Sequence, residues 1–258
     1  VAAAQEVAAA QVTAAAQEAA AAQVTAAAQE AAEEVQEAAA HGAAAAREAV
    51  AAGARRRHAG GMDEKETLQR YLTKQRADLL TKLDGLDEYD VRRPLVSSGT
   101  NLLGLVKHVA SVQLGYLGEV FDRPSPLEMP WLTDTSEPEA DLWATEDETR
   151  EAIVAFAGHS AEHADATVAA LDLDSPGVVP WWPADRRDVT LHSILVHLCV
   201  ETARHAGHAD LVRELVDGRL GNGATDQNVP DRDVEGWRAH HDRVEAAARA
   251  AGRPEATR

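Results

Sequence analysis

The sequence predicts an all-α protein whose centre is a four-helix bundle, preceded by a long alanine-rich extension that is helical or disordered. Two observations carry the prediction. Beyond Met62, apolar residues recur at three- and four-residue spacing in four long runs, with no alternation of the strand type. The segments between those runs are rich in Pro, Gly and Asp, which interrupt helices and form turns. A third observation sets the boundaries. Residues 1–61 are a low-complexity Ala/Gln/Glu tract, residues 62–218 carry nearly all the apolar residues able to build a core, and residues 219–258 form a tail with a short helix.

Within the extension Gln5, Gln11, Gln17, Gln23 and Gln29 recur every six residues, amid alanines that favour helix. A six-residue step advances about 240° around a helix, so no continuous apolar stripe forms and sustained heptads are missing. A solvated helix follows more directly than a coiled-coil arm. The break at Arg55-Arg56-Arg57-His58, followed by Gly60-Gly61-Met62, leads to the expectation that natural translation starts at Met62.

The first bundle helix is expected over Asp63 to Asp84, with Leu68, Leu72, Leu79, Leu80 and Leu83 facing the core and Gly85 stopping it. After the connection Val91-Arg92-Arg93-Pro94-Leu95, Thr100 or Asn101 can cap a second helix that runs to Phe121. Asp122 to Thr145, with four prolines and two tryptophans, reads as a long irregular crossover. A third helix spans Glu146 to Leu171. A fourth, after Pro176 to Pro183, spans Thr190 to Val216, and a weakly packed helix from Asp233 to Ala250 closes the chain.

The net charge of −18 argues against a nucleic-acid binder. Seven Glu and four Arg give −3 in residues 1–61, so the remaining −15 lies in residues 62–258. A single cysteine, Cys199, cannot build an internal disulfide framework. No segment reads as a membrane span or a signal peptide, and a cytoplasmic location is expected.

The chemistry is concentrated on the fourth helix. On a wheel of about 100° per residue, Leu191, Ile194, Leu195, Leu198, Ala209, Val212 and Val216 mark an apolar arc. Glu201 and His205 fall inside that arc, while His197 and His208 lie at its edge. An uncompensated carboxylate facing a core costs on the order of a few kcal/mol. Two arrangements remove the cost: a hydrogen-bonded Glu201–His205 pair, or a metal ion bound by both, which their i, i+4 spacing permits. His108, at the margin of the second helix's stripe beside Leu105 and Val112, offers a third ligand, or is a satisfied core-edge histidine. Two imidazoles and a carboxylate suit Zn²⁺, with Ni²⁺ or Fe²⁺ as alternatives, and leave coordination free for water or substrate. His197 and His208 are accessory candidates.

Other features read more plainly. His159 and His163 fit a solvated face of the third helix, and His240 and His241 are adjacent, so they point apart. Cys199 reads as a small packed hydrophobe. Trp181 and Trp182 form either an apolar wall beside the fourth helix or loop aromatics against the bundle end. Arg204 and Arg213 are either receptors for a substrate carboxylate or surface ion-pair partners.

Two stretches, Ser98 to His108 and Thr190 to Asp210, resemble the DinB-like superfamily, and more narrowly its mini-circle protein branch. The run His197-x-x-x-Glu201-x-x-x-His205-x-Gly207-His208 is the more specific of the two. The resemblance covers Asp63 to Gly218. It implies a helical bundle with a metal held by residues at the positions of His108, Glu201 and His205. Many relatives carry histidine where this chain has Glu201, whereas the related mycothiol-dependent maleylpyruvate isomerases also have Glu followed by His. The family includes S-transferases and isomerases that use low-molecular-weight thiols. The resemblance thus implies a metal-dependent enzyme that uses mycothiol or a similar thiol against a small electrophile. The alternative is a non-catalytic metal-binding or small-molecule-binding stress protein of the same fold. A homodimer through the bundle stays open.

Overall fold

A computed structural model describes residues 62–221, 226 and 228–252. The expected alanine-rich extension, residues 1–61, lies outside the described residues.

Helix α1 runs over Glu64–Thr81. Its last turn tightens, with Lys82 and Leu83 N–H groups bonding to the carbonyls three residues back, and the chain leaves through Gly85 at φ 74°. Leu72, Leu79 and Leu83 are buried as expected, and Leu68 and Leu80 pack at the core margin. A one-turn helix α2, Glu88–Arg92, stands where only a connection was expected. Asp87 caps it by accepting a 2.8 Å bond from the Asp90 N–H, and Val91 anchors it in the core.

Helix α3, Leu102–Leu117, is capped by Asn101, whose side chain accepts from Gly104 N–H at 2.8 Å. A 3₁₀ turn over Glu119–Phe121 extends it to the predicted end. Nearly every residue of α3 is buried, including Lys107, Ser111 and Gln113, because the helix is enclosed by α2, the crossover and the two helices that follow. Helix α4, Arg150–Ala170, starts four residues later than expected, since Thr149 is its cap.

The segment before the last bundle helix holds the clearest departure from expectation. Strands β1, Pro176–Val178, and β2, Asp188–Thr190, pair antiparallel with Pro176 opposite Thr190. Three residues per strand are too few for alternation to register in a sequence. Thr190 ends the ribbon and also caps helix α5, Leu191–Asp217, through a reciprocal box with Ser193. Gly218, at φ 77°, ends α5.

In the bundle α3 packs on α4 and α5, while α1 packs on α5. The apolar core falls into two principal clusters. One is centred on Leu72, Leu117, Leu191 and Leu195, the other on Leu79, Leu103, Val109 and Val212. On α5 the first cluster ends at Cys199 and the second begins at Ala209, so Glu201 and His205 occupy the interval between them. Helix α6, Val234–Gly252, has no buried residue. Among the described residues no helix is long and apolar enough to cross a membrane.

Candidate metal centre

The interval between the two clusters is filled by His108 from α3 and by Glu201 and His205 from α5. One ligand atom from each lies within 4.8 Å of the other two. Glu201 Oε1 is 2.9 Å from His205 Nε2 and 3.6 Å from His108 Nε2, and the two imidazoles meet edge to face with centroids 4.6 Å apart. All three side chains are mostly buried. His205 Nδ1 is buried without any hydrogen-bond partner, which native interiors seldom tolerate. At the opposite ring nitrogen, Nε2, the protein converges His205 with His108 and the Glu201 carboxylate on one point. That donor set suits a divalent cation of the zinc type.

A fourth residue escaped the sequence reading. Asp141, in the crossover, places Oδ2 2.6 Å from His108 Nδ1, turning Nε2 toward Glu201. Nothing in a segment without helical periodicity ties residue 141 to residue 108, so no sequence signal marks it.

The electrostatics are those of charge gathered in a partly dry place. Burial works against a charged His108, but the Asp141 and Glu201 carboxylates outweigh it and raise its pKa. Burial likewise opposes ionisation of Glu201, yet hydrogen bonds from His205 and His108 hold its carboxyl below the ordinary value. Asp141 is lowered in the same way, its burial outweighed by His108 with help from Lys107. His205 moves the other way: burial, together with His108 and His208 as like charges, depresses its pKa despite Glu201. An ionised Glu201 and a neutral His205 match the protonation state that metal ligation requires, whereas His108, whose pKa is raised, must release its Nε2 proton to join them.

The sequence model described as mycothiol-S-transferase matches residues 67–218, more than half of the chain. The chain belongs to the mycothiol-S-transferase family. This family lies within the DinB/YfiT-like superfamily, in agreement with the resemblance carried by the two motif stretches. No curated protein matches the sequence. Among solved structures the chain is similar to a conserved protein of locus from Enterococcus faecalis. That match has 17% identity, covers 62% of this chain and 100% of that one, and has a TM-score of 0.44.

The other residues singled out in this member of the family fall in distinct places. His208 stacks edge-on to His205 at 5.4 Å, and both line a cleft of about 410 Å³ with Ser98, Thr100, Glu137 and Trp143. His197 instead lies against Tyr116 and Trp182, at 4.8 and 5.5 Å between ring centroids. Trp181 and Trp182 both donate to Tyr116 Oη, at 3.3 and 2.9 Å, as loop aromatics packed on the bundle end. Arg213 is fully buried, donating to the Lys82 and Asp84 carbonyls and to Asp217, so it is a structural clamp between α5 and the end of α1. Arg204 is exposed. His159 and His163 are not a solvated face. They are half-buried and hold the start of the crossover through Ser125 Oγ and the Arg123 carbonyl. Cys199 shares a 3.5 Å contact with the Leu68 carbonyl, and burial pushes its thiol pKa up. A protonated, packed thiol is no nucleophile.

Proposed function

We propose that this chain is a cytoplasmic, metal-dependent S-transferase that joins mycothiol, or a closely similar thiol, to a small electrophile. His108, Glu201 and His205 hold one divalent cation, of which Zn²⁺ fits the donors best and Ni²⁺ or Fe²⁺ are the alternatives. The observation that carries the reading is the convergence of those three side chains on one point, with His205 also lining a cleft, in a chain of this family. When bound, such a cation lowers the pKa of a thiol that reaches it, so that the sulfur is available as thiolate near neutral pH.

The chain's own residues supply the rest. Glu201 contributes the single negative charge among the three ligands, which leaves the site able to accept an anionic sulfur. The flanking leucine clusters keep bulk water from the inner side, which strengthens every electrostatic interaction there. The cleft admits the thiol and the electrophile from the side of the Ser98–Thr100 loop and the crossover. Its imidazole at His208, beside His205, is the group placed to accept the thiol's proton. The existence of this cleft favours catalysis over simple metal storage, because a structural site is closed by its fourth ligand.

Elemental analysis of protein purified without a metal-affinity tag tests the reading directly. About one equivalent of metal is expected in the natural protein and close to none in His205→Ala. Mycothiol consumption with a model alkylating electrophile should follow the metal, vanish with a chelator and return when Zn²⁺ is restored. Absence of metal in both proteins, even after Zn²⁺ is added, would sink the proposal.

A further inference from the structure

We infer that Asp141 is the positioning residue of this centre, and that residues 140–143 of the crossover form a strap whose purpose is to present its carboxylate to His108. The inference rests on the metal-binding reading above. Its starting point is the buried pairing of Asp141 Oδ2 with His108 Nδ1 at 2.6 Å, the short distance of a charge-assisted bond. A histidine whose Nδ1–H is committed to a carboxylate has one tautomer and one ring orientation. Its Nε2 lone pair then points where Glu201 and His205 converge.

The residues on either side of Asp141 are each fastened to α3. Lys107, itself buried, donates to the Ala140 carbonyl at 2.8 Å and to the Trp143 carbonyl at 3.0 Å. Asn101 donates to the Leu142 carbonyl at 3.3 Å. The same carbonyl lies so close over Gly104 that a Cβ there would collide with it. Glu139, just before the strap, takes a left-handed φ of 64°, a conformation that only surrounding contacts sustain in a non-glycine residue. Residues 140 and 143 are therefore bound by Lys107, residue 142 is bound by Asn101 and lies against Gly104, and residue 141 is delivered to the neighbour of Lys107. A segment with no regular structure is held at four points, and the one side chain it buries in the site is a carboxylate.

The test uses the full-length protein and three variants that leave all three ligands intact. Asp141→Ala removes the carboxylate, and Gly104→Ala lifts the strap without touching it. Affinity for Zn²⁺, measured by chelator competition, should fall by about 10–100-fold in Asp141→Ala, and in the same direction in Gly104→Ala. Asp141→Asn, which keeps an acceptor but loses the charge, should lose less. A second readout needs no metal. The imidazole ¹⁵N shifts of His108 in metal-free protein, recorded at a pH high enough that the ring is neutral, should report a proton fixed on Nδ1 in the natural chain and a mixture of tautomers in Asp141→Ala.

Unchanged affinity together with an unchanged tautomer in Asp141→Ala would overturn the inference. Absence of Zn²⁺ binding by the natural protein would overturn the metal reading and the positioning role with it. That outcome differs from the former because it appears before any substitution is made. Should Gly104→Ala fail to fold, Asp141→Ala and Asp141→Asn still decide the question.

Discussion

Lys107 shows how much of this protein's chemistry depends on single buried charges. Its ammonium group is almost fully enclosed, yet it is satisfied by two carbonyls of the strap, by Glu148 at 2.7 Å and by the face of Trp131 at 4.4 Å. Lys107→Met keeps the length and apolar stem but strands Glu148 and both carbonyls. It should therefore cost about 2–4 kcal/mol, measured by urea unfolding, near the lower end of what breaking a buried pair costs because Glu148 is partly exposed. In the sequence this lysine is one polar residue in an apolar helix, and nothing tells a snorkelling side chain from a buried one. Glu201 and His205 were legible because the helical period alone places them on the apolar side of α5. His108 was a candidate from its place at the margin of the apolar stripe of α3, but only the family motif favoured a ligand over a satisfied core-edge histidine, since residues 93 positions apart are joined by packing and not by local pattern. Asp141 lay beyond both kinds of signal.

The helices were legible where side-chain chemistry stops or starts them. Asn101, Thr190, Gly85 and Gly218 all occupy the cap positions that their residue types favour. The box formed by Thr190 and Ser193 matters beyond α5, because Thr190 also pairs with Pro176 in the ribbon. Thr190→Ala removes the hydroxyl that accepts the Ser193 N–H and should lower stability by about 1 kcal/mol in urea unfolding. It should leave metal content unchanged, because Glu201 and His205 lie about three and four turns deeper in the helix. The elements that sequence reading did not anticipate, α2 and the two strands, are five and three residues long. Their formation is dictated by contacts from distant chain: Val91 seated in the cluster centred on Leu79 and Leu103, and Gly177 pressed against Phe121 and Val120 so closely that no larger residue fits. Short elements of this sort carry too few residues for a period to show.

Across the whole molecule, acid opposes two effects. The net charge of −18 at neutral pH repels itself in the compact state, and that repulsion fades as carboxylates protonate. Against it stand carboxylates whose pKa is lower folded than unfolded. In Glu148, burial is outweighed by Lys107 and the Thr145 backbone, and in Asp217 the Arg213 guanidinium leads, with burial opposing. Such groups contribute stability that is fully present above their unfolded values, 4.5 for Glu148 and 3.8 for Asp217. That stability is lost as pH falls through the lower folded values. Stability of the bundle should accordingly hold or rise from neutrality to about pH 5, then fall steeply below about pH 4. Glu148→Gln isolates one contribution: it should be less stable than the natural chain at neutral pH, where the Lys107 pair is intact, and the difference should shrink as both are taken below the carboxylate range. Urea unfolding of both proteins across that range measures this directly. A difference that stays constant with pH would show that Glu148 acts through shape or neutral hydrogen bonds rather than through its charge. In that case the strap over α3 would owe its hold to its hydrogen bonds with Lys107, Asn101 and His108 without help from the Glu148 charge, and acid sensitivity would have to be sought at Asp217, where α5 ends against the close of α1.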